Sequence, residues 1–244
     1  MILQCLSVPT TPTTTSSTKS SKSWFFQIHE VLSLYGLETP LHYLTYPPNK
    51  IGFKNYVKKA VISYWHSVFI EESKGLRSLK YFKPELYSLT KPHYMWTTTA
   101  GMPYETSKST VLARMMSGRF RTEMFCRYFS LENKEGYCTA PGCNEVPGTL
   151  EHVLVTCPAL NYTRERMYHM CLEKTVMFPS LHQLVREILV SDEETKTMFF
   201  IEPLAFDLVK QDALQIGGHY IKTVSYISRT FVFCMYRDYI QRFQ

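Results

Sequence analysis

Three cysteines and one histidine stand close together in the stretch GYCTAPGCNEVPGTLEHVLVTCPAL, residues 136–160. Their spacing is Cys138-x4-Cys143-x8-His152-x4-Cys157. Structural zinc sites use four tetrahedral ligands, commonly cysteine sulfur and histidine nitrogen. This spacing therefore predicts a zinc knuckle, in which all four side chains bind one structural Zn²⁺ and the ion fixes a short loop at four points.

The residues between the four candidate ligands favour this interpretation. A Pro-Gly turn signal lies between the first two cysteines. Thr149 is a cap residue just before His152, and Pro158 disfavours a helical conformation at Cys157. The segment therefore predicts a tight loop that carries two sulfurs, followed by a short helical start that carries the other two ligands.

Other interpretations of the cysteines remain open at this stage. The four residues could be buried cysteines and a surface histidine that are merely near in sequence. Cys126, His169 and Cys171 are close enough to replace a ligand, although Cys126 and Cys171 are expected to be core residues. The cysteine count is seven, an odd number, and the N-terminus does not have the pattern of a signal peptide. We therefore expect an intracellular protein, in the nucleus, the cytoplasm or both, with reduced cysteines.

The rest of the chain is typical of an all-α protein. Hydrophobic residues make up 45% of the 244 residues and charged residues 20%, as in globular proteins. Apolar residues recur mainly at helical spacing, and the only strand-like feature expected is a small hairpin inside the knuckle. Four regions are predicted. They are a disordered Ser/Thr/Pro-rich arm (1–23), a helical region with a basic-aromatic segment (24–135), the zinc knuckle (136–160) and a C-terminal helical region (161–244).

Local signals predict where several helices begin and end. Gly36, Gly75 and Gly118 are expected to end helices, and a short helix is expected from about 122 to 129. The sequence SDEE at residues 191–194 matches a capping box, and a long last helix is expected after Gly217 and Gly218. Residues 80–105 contain three prolines and several aromatic residues, and they predict a loop-rich connector.

The positive charge is concentrated before the end of the knuckle. Residues 1–160 carry 17 Lys and Arg against 11 Asp and Glu, whereas residues 161–244 carry ten of each. A basic surface beside a Cys/His cluster is typical of nucleic-acid-binding proteins, in which cations contact phosphates and aromatic rings stack on bases. The predicted contact residues are Arg119, Phe120, Arg121, Arg127 and Tyr128, extended by Lys108, Arg114 and Lys134. Phe125 and Phe129, in the same segment, are expected to pack into the core.

Residues 115–166, MMSGRFRTEMFCRYFSLENKEGYCTAPGCNEVPGTLEHVLVTCPALNYTRER, resemble the C-terminal segment of reverse-transcriptase polyproteins from non-LTR (LINE-type) retrotransposons. The likeness rests on SGR-aromatic-R-T at 117–122, CR-x-aromatic-S at 126–130, the four spaced ligands, and EH-x-L-x-x-CP-x-L at 151–160. A weaker likeness extends over residues 45–244. The resemblance implies a zinc knuckle on the same four ligands and a tail that binds RNA or single-stranded DNA, in association with a reverse-transcriptase core.

Catalytic motifs are missing from the sequence. The chain contains no Asp-Asp pair of the kind that holds metal ions in reverse transcriptases, and no P-loop, nucleophile elbow or HExxH. Its longest apolar runs are too short to span a membrane. We therefore expect a non-catalytic polyprotein tail, or a remnant of one, without a membrane partner. The alternative is a zinc-stabilised helical scaffold for protein partners, in the form of a domesticated fragment, because the C-terminal third is neutral.

Overall fold

The computed structural model of the chain describes residues 23–76, 79–129 and 135–243. The helices in these ranges are α1 (Trp24–Leu34), α2 (Pro40–Thr45), α3 (Lys50–Lys74), α4 (Tyr94–Thr97), α5 (Pro103–Met116), α6 (Glu123–Tyr128), α7 (Asn161–Thr175), α8 (Pro179–Val190), α9 (Glu193–Ile201), α10 (Asp207–Ile216) and α11 (Gly218–Phe243). The predicted all-α class is confirmed. The predicted disordered arm lies outside the described residues except for Ser23.

The three glycines predicted to end helices do so, since α1, α3 and α5 end just before Gly36, Gly75 and Gly118. Gly36 and Gly118 follow α1 and α5 with φ of 64° and 65°, in the left-handed region that favours glycine and ends a helix. The Thr122 hydroxyl accepts a hydrogen bond from the backbone N–H of Phe125 (3.1 Å), which caps the short helix α6.

Other boundaries differ from the sequence-based prediction. Asp192, rather than Ser191, caps α9, because its carboxylate accepts from both the backbone N–H and the hydroxyl of Thr195 (2.8 and 2.6 Å). Pro158 opens a separate 3₁₀ turn, so α7 begins only at Asn161. Helices α2 and α10 were not predicted. The expected connector contains α4, and Met95 within it is buried.

The described part of the chain separates into two compact units, Met1–Tyr64 and Trp65–Gln244, with the division inside α3. In the first unit, aromatic pairs hold α1, α2 and the first turns of α3: Tyr35 meets Tyr64 edge-on with ring centroids 5.2 Å apart, and Tyr43 meets Phe53 at 4.9 Å. This unit exposes several large apolar side chains, among them Trp24, Phe26, Leu44 and Ile51.

In the second unit the long helix α11 is the centre of the core. It packs against α5, α7 and α9. Phe231 of α11 stacks on Phe200 of α9 with ring centroids 3.6 Å apart, and both rings are fully buried. Arg229 contacts Glu105 near the start of α5, and Tyr236 contacts Phe120 just beyond its end. Helices α5 and α11 therefore run in the same direction, and their pair has two distinct ends.

Candidate metal centre and adjoining basic surface

The first two cysteines lie on a small hairpin-like loop. Its two sides are joined by hydrogen bonds from the Cys138 N–H to the Val146 carbonyl (2.8 Å) and from the Gly148 N–H to the Gly136 carbonyl (2.9 Å). At its tip the Cys143 N–H donates to the Ala140 carbonyl (3.1 Å). The predicted Pro-Gly pair forms this turn, with Pro at the second position and a glycine with φ of 85° at the third, as a type II turn requires.

The other two ligands lie at the two ends of one π-helical turn, His152–Thr156. The turn closes through the Cys157 N–H and the His152 carbonyl, with a nitrogen–oxygen distance of 2.7 Å. Residues five apart in an α-helix are rotated by about 140° from each other, so their side chains diverge. The wider turn admits one extra residue and lets both side chains point to the same place. As predicted, Thr149 caps the start (3.2 Å to the His152 N–H), and Cys157 leaves the helical conformation before Pro158.

All four side chains are buried, and their ligand atoms lie within 4.8 Å of one another. The Cys143 sulfur is 3.7 Å from the Cys157 sulfur and 3.3 Å from His152 Nε2. A tetrahedral zinc ion with ordinary Zn–S and Zn–N bonds would separate two sulfurs by about 3.8 Å and a sulfur from a nitrogen by about 3.6 Å. The observed separations fit one tetrahedral ion, so these residues could hold a metal.

The ionisation of the three thiols is not uniform. Burial raises the pKa of Cys138 and of Cys143. Burial also acts to raise the pKa of Cys157, but hydrogen bonds from His152 and Cys143 outweigh it and lower this pKa. Thiolates are the form that binds metals, so a cation at this point would remove the cost of burying them.

Two neighbouring side chains, Thr156 and Arg164, orient the site. Neither was predicted from the sequence. The Thr156 hydroxyl lies 3.1 Å from His152 Nδ1, so a proton held on Nδ1 leaves Nε2 free to bind a metal. Arg164, which is buried, donates from Nε to the Leu154 carbonyl (3.0 Å) and from Nη2 to the Cys157 carbonyl (2.8 Å). It thereby ties the π-helical turn and the 3₁₀ turn after it to the start of α7. The only signal in the sequence was an arginine seven residues after Cys157, the last of the four candidate ligands.

The loop is also anchored to the helices by a close backbone approach. A side-chain carbon added at Gly148 would lie 2.4 Å from Glu123 Oε2, so only glycine fits there. Glu123 is buried in turn and accepts a hydrogen bond from the Tyr239 hydroxyl of α11 (2.6 Å). Cys126 and Cys171 are buried outside the cluster, which confirms their expected core role, and His169 is exposed.

The predicted nucleic-acid contacts fall into two groups. Arg114, Arg119, Arg121, Arg127 and Tyr128 are exposed, and the Tyr128 side chain is 72% exposed. Arg127 donates to the Glu135 carbonyl (3.0 Å) beside the loop. Lys134 lies outside the described residues.

Two of the predicted contacts are wrong, because these side chains are buried. Phe120 packs its ring against Tyr236 and Tyr239 of α11, so it cannot stack on a base. Lys108 is 2.7 Å from Glu105 and lies over the ring of Tyr104, so it is not available to phosphate.

An apolar cavity of about 640 Å³ lies beside the metal cluster. It is lined by the end of α5, by α6 and by residues 149–151, which lead directly into His152. Phe125 and Phe129 meet there with ring centroids 4.5 Å apart. Phe129 is 61% exposed, so its expected place in the core is wrong, whereas Phe125 is half-buried.

The site and the fold together define a class: an all-α protein with a buried Cys₃His cluster able to hold one metal ion. Comparison with protein families, curated proteins and solved structures found no match to this chain. None of the helices in the described ranges is both long and apolar enough to cross a membrane.

Proposed function

We propose that this protein is a non-catalytic nucleic-acid-binding module, related to the tail of a retrotransposon reverse transcriptase, in which one structural Zn²⁺ fixes the knuckle. Its ligand is RNA or single-stranded DNA, and a reverse-transcriptase core is a second expected partner. Such a module would act inside the cell, in the nucleus or the cytoplasm. Four protein ligands leave no open coordination position, so the ion would have a structural role.

Zinc is the metal that suits this ligand set best. Three sulfurs and one imidazole in a tetrahedral arrangement favour Zn²⁺ over Mg²⁺ or Ca²⁺, which prefer oxygen ligands. The loop that carries Cys138 and Cys143 buries few large side chains of its own. A bound ion would supply the folding free energy that this loop lacks.

The observation that carries the nucleic-acid proposal is the position of the exposed cations and aromatic rings. Arg119, Arg121 and Arg127 border the same α5–α6 segment that lines the apolar cavity, and residues 149–151 join this cavity to the cluster. Single strands bind where cations contact phosphates next to aromatic rings on which bases stack, and each stacked base contributes about 1–3 kcal/mol. Tyr128 and Phe129 are exposed enough to serve as such rings.

The test is a salt titration of the affinity for a single-stranded RNA, followed by fluorescence anisotropy. For single strands the slope of log K against log salt is about −0.7 per phosphate contact, so changing Arg119→Gln and Arg127→Gln together should make the slope shallower by about 1.4. The matched control is Arg166→Gln with Arg186→Gln, two exposed arginines on α7 and α8. Equal slopes in both double variants would overturn the proposed surface.

The scaffold alternative is favoured by one observation in the first unit. Trp24, Leu44 and Ile51 are each more than 70% exposed there, although large apolar side chains are the usual anchors of protein interfaces. If the wild type showed no salt-dependent affinity for RNA or single-stranded DNA, this alternative would become the better proposal.

A further inference from the structure

A second cleft lies at the end of the α5–α11 pair where both helices begin, opposite the metal cluster. Its volume is about 670 Å³, and it is lined by the turn after α4, the end of α7 and the first turns of α11. Four basic side chains, Lys174, His219, Lys222 and Arg229, line it together with Thr97, Thr98 and Thr223, and no carboxylate is among its lining residues.

The basic groups on α11 share one face of the helix. His219, Lys222, Tyr226 and Arg229 follow one another at intervals of three or four residues, which is the period of an α-helix. This face also includes the N-terminal turn of α11, which contains no acidic residue. The partial positive charge of the helix N-terminus therefore adds to the charge of the side chains.

Much of this charge is not neutralised by neighbouring carboxylates. Within the described ranges, neither His219 nor Lys222 forms an ion pair, and the contact of Lys174 with Glu173 is long (3.7 Å) and exposed. An exposed pair of this kind contributes little. Arg229 is different, because its Nε is paired with Glu105 Oε2 (2.8 Å), a carboxylate that Lys108 also contacts (2.7 Å). Its charge is therefore partly neutralised, and it shapes the inner end of the cleft.

The location of these groups contrasts with the composition of the region. Residues 161–244 carry equal numbers of acidic and basic residues, yet the charged side chains that line this cleft are all basic. A wall of one charge sign raises the local concentration of anions. The lining offers hydroxyls and cations, the groups that bind phosphate oxygens. It offers little for a base, since the Tyr226 ring is covered by Lys108 and Arg229 at 5.4 and 5.5 Å.

We propose that this cleft is a second phosphate-binding site, which holds the backbone of the strand whose bases stack at the metal end. This inference rests on the proposed nucleic-acid function. The 14 residues of α5 separate the two ends by about 21 Å, at 1.5 Å per residue. A single strand is long enough to reach both surfaces, whereas a short oligonucleotide reaches only one. The contacts at the cleft are to phosphates, so they carry no sequence preference.

The experiment compares oligouridylates of about 4 and about 16 nucleotides, the limits of common single-strand site sizes, with wild type and three double variants. Lys174→Gln with Lys222→Gln removes the two lysines that line the cleft. The control, Lys196→Gln with Lys210→Gln, removes two lysines on α9 and α10 that do not line it. For the long oligomer we expect the cleft variant to flatten the salt slope by about 1.4 relative to the control, and for the short one by close to zero.

The third double variant, Arg119→Gln with Arg127→Gln, separates the two proposals. If it weakens binding of both oligomers while the cleft variant matches its lysine control, the second site is refuted and the proposed function stands. If wild type binds neither oligomer, the proposed function itself fails. An equal loss from the cleft variant with the short oligomer would also overturn the two-site arrangement, because the proposal assigns the short strand to the metal end alone.

Discussion

The knuckle, residues 136–160, packs against α11, the last of the C-terminal helices in residues 161–243, but the two regions are held in different ways. In the C-terminal helices large side chains fill the core, and Phe200, Phe231 and Tyr220 are fully buried. In the knuckle loop before His152 the buried apolar residues are Cys138, Ala140 and Cys143, which are small. Apolar burial contributes about 25 cal/mol per Å², so the helices are stabilised by their own core, whereas we expect the loop to depend on a bound metal.

Buried polar groups occur in both regions, but their surroundings differ. In the C-terminal helices the Phe200 carbonyl accepts a hydrogen bond from the Ser228 hydroxyl (2.5 Å), and buried Arg229 donates to Glu105 (2.8 Å), beside a core of large apolar side chains. The knuckle relies on a buried arginine, a buried glutamate and three thiols. The structure of such a region depends on the positions of its hydrogen-bonding groups more than on filling a core with large side chains. A buried polar group that loses its partner there lowers the free energy of unfolding.

The largest expected effect is that of removing a ligand. Cys143→Ser should abolish binding of one zinc per chain, because structural zinc contributes about 10–16 kcal/mol in small zinc domains. Native mass spectrometry would measure the metal. Hydrogen exchange should show lost protection at Cys138 and Cys157 while α11 stays protected. Cys234→Ser, a cysteine outside the cluster, is the control. A folded Cys143→Ser protein that retained one zinc would refute the assigned ligand set.

The converse experiment breaks the helical core and leaves the knuckle ligands intact. Phe200→Ala removes a ring stacked at 3.6 Å on Phe231 and should destabilise the second unit by about 3–5 kcal/mol in chemical denaturation. Zinc stoichiometry at low temperature should remain one. Val190→Ala, at a side chain that is 85% exposed, should change stability by less than about 0.5 kcal/mol. A loss below about 1 kcal/mol for Phe200→Ala would mean that the stacking is not part of the stable core.

The junction between the two regions is tested by Gly148→Ala. The added carbon would lie 2.8 Å from Glu123 Cβ and would displace a carboxylate that Tyr239 holds, so we expect a loss of about 2 kcal/mol from overpacking. Gly218→Ala is the control, since nothing lies within 4 Å of a side-chain carbon there. Equal melting temperatures for the two variants would show that the loop does not press on α6.

The regions also differ in how far the sequence could predict them. Turn and cap signals are local, so Gly36, Gly118 and Thr149 were assigned correctly. Burial of an amphipathic residue is decided by distant partners. Lys108 is buried because Glu105 and two tyrosine rings surround it, and one of these rings comes from α11. No pattern near Lys108 shows this.

The roles of Arg164 and Glu123 in the site were missed for the same reason. Their partners are backbone carbonyls of an irregular turn and a hydroxyl on the last helix. The four candidate ligands could be predicted because their spacing is visible in the sequence. A tetrahedral site of this kind takes two sulfurs from one turn and two ligands from the next element.

The smallest expected effect comes from a change that alters the metal site without altering the fold. Thr156→Val keeps the shape of the side chain but removes the hydroxyl that lies 3.1 Å from His152 Nδ1. Loss of such a partner weakens metal binding by about tenfold or more, since the imidazole is no longer held in the tautomer that exposes Nε2. Competition with a zinc-binding dye would measure this loss. Thr110→Val removes a hydroxyl from α5, where it bonds only the Thr106 carbonyl, and should leave zinc affinity unchanged. If both variants bound zinc like the wild type, the tautomer would be fixed by the π-helical turn itself, and the backbone rather than the side chain would set the geometry of the knuckle.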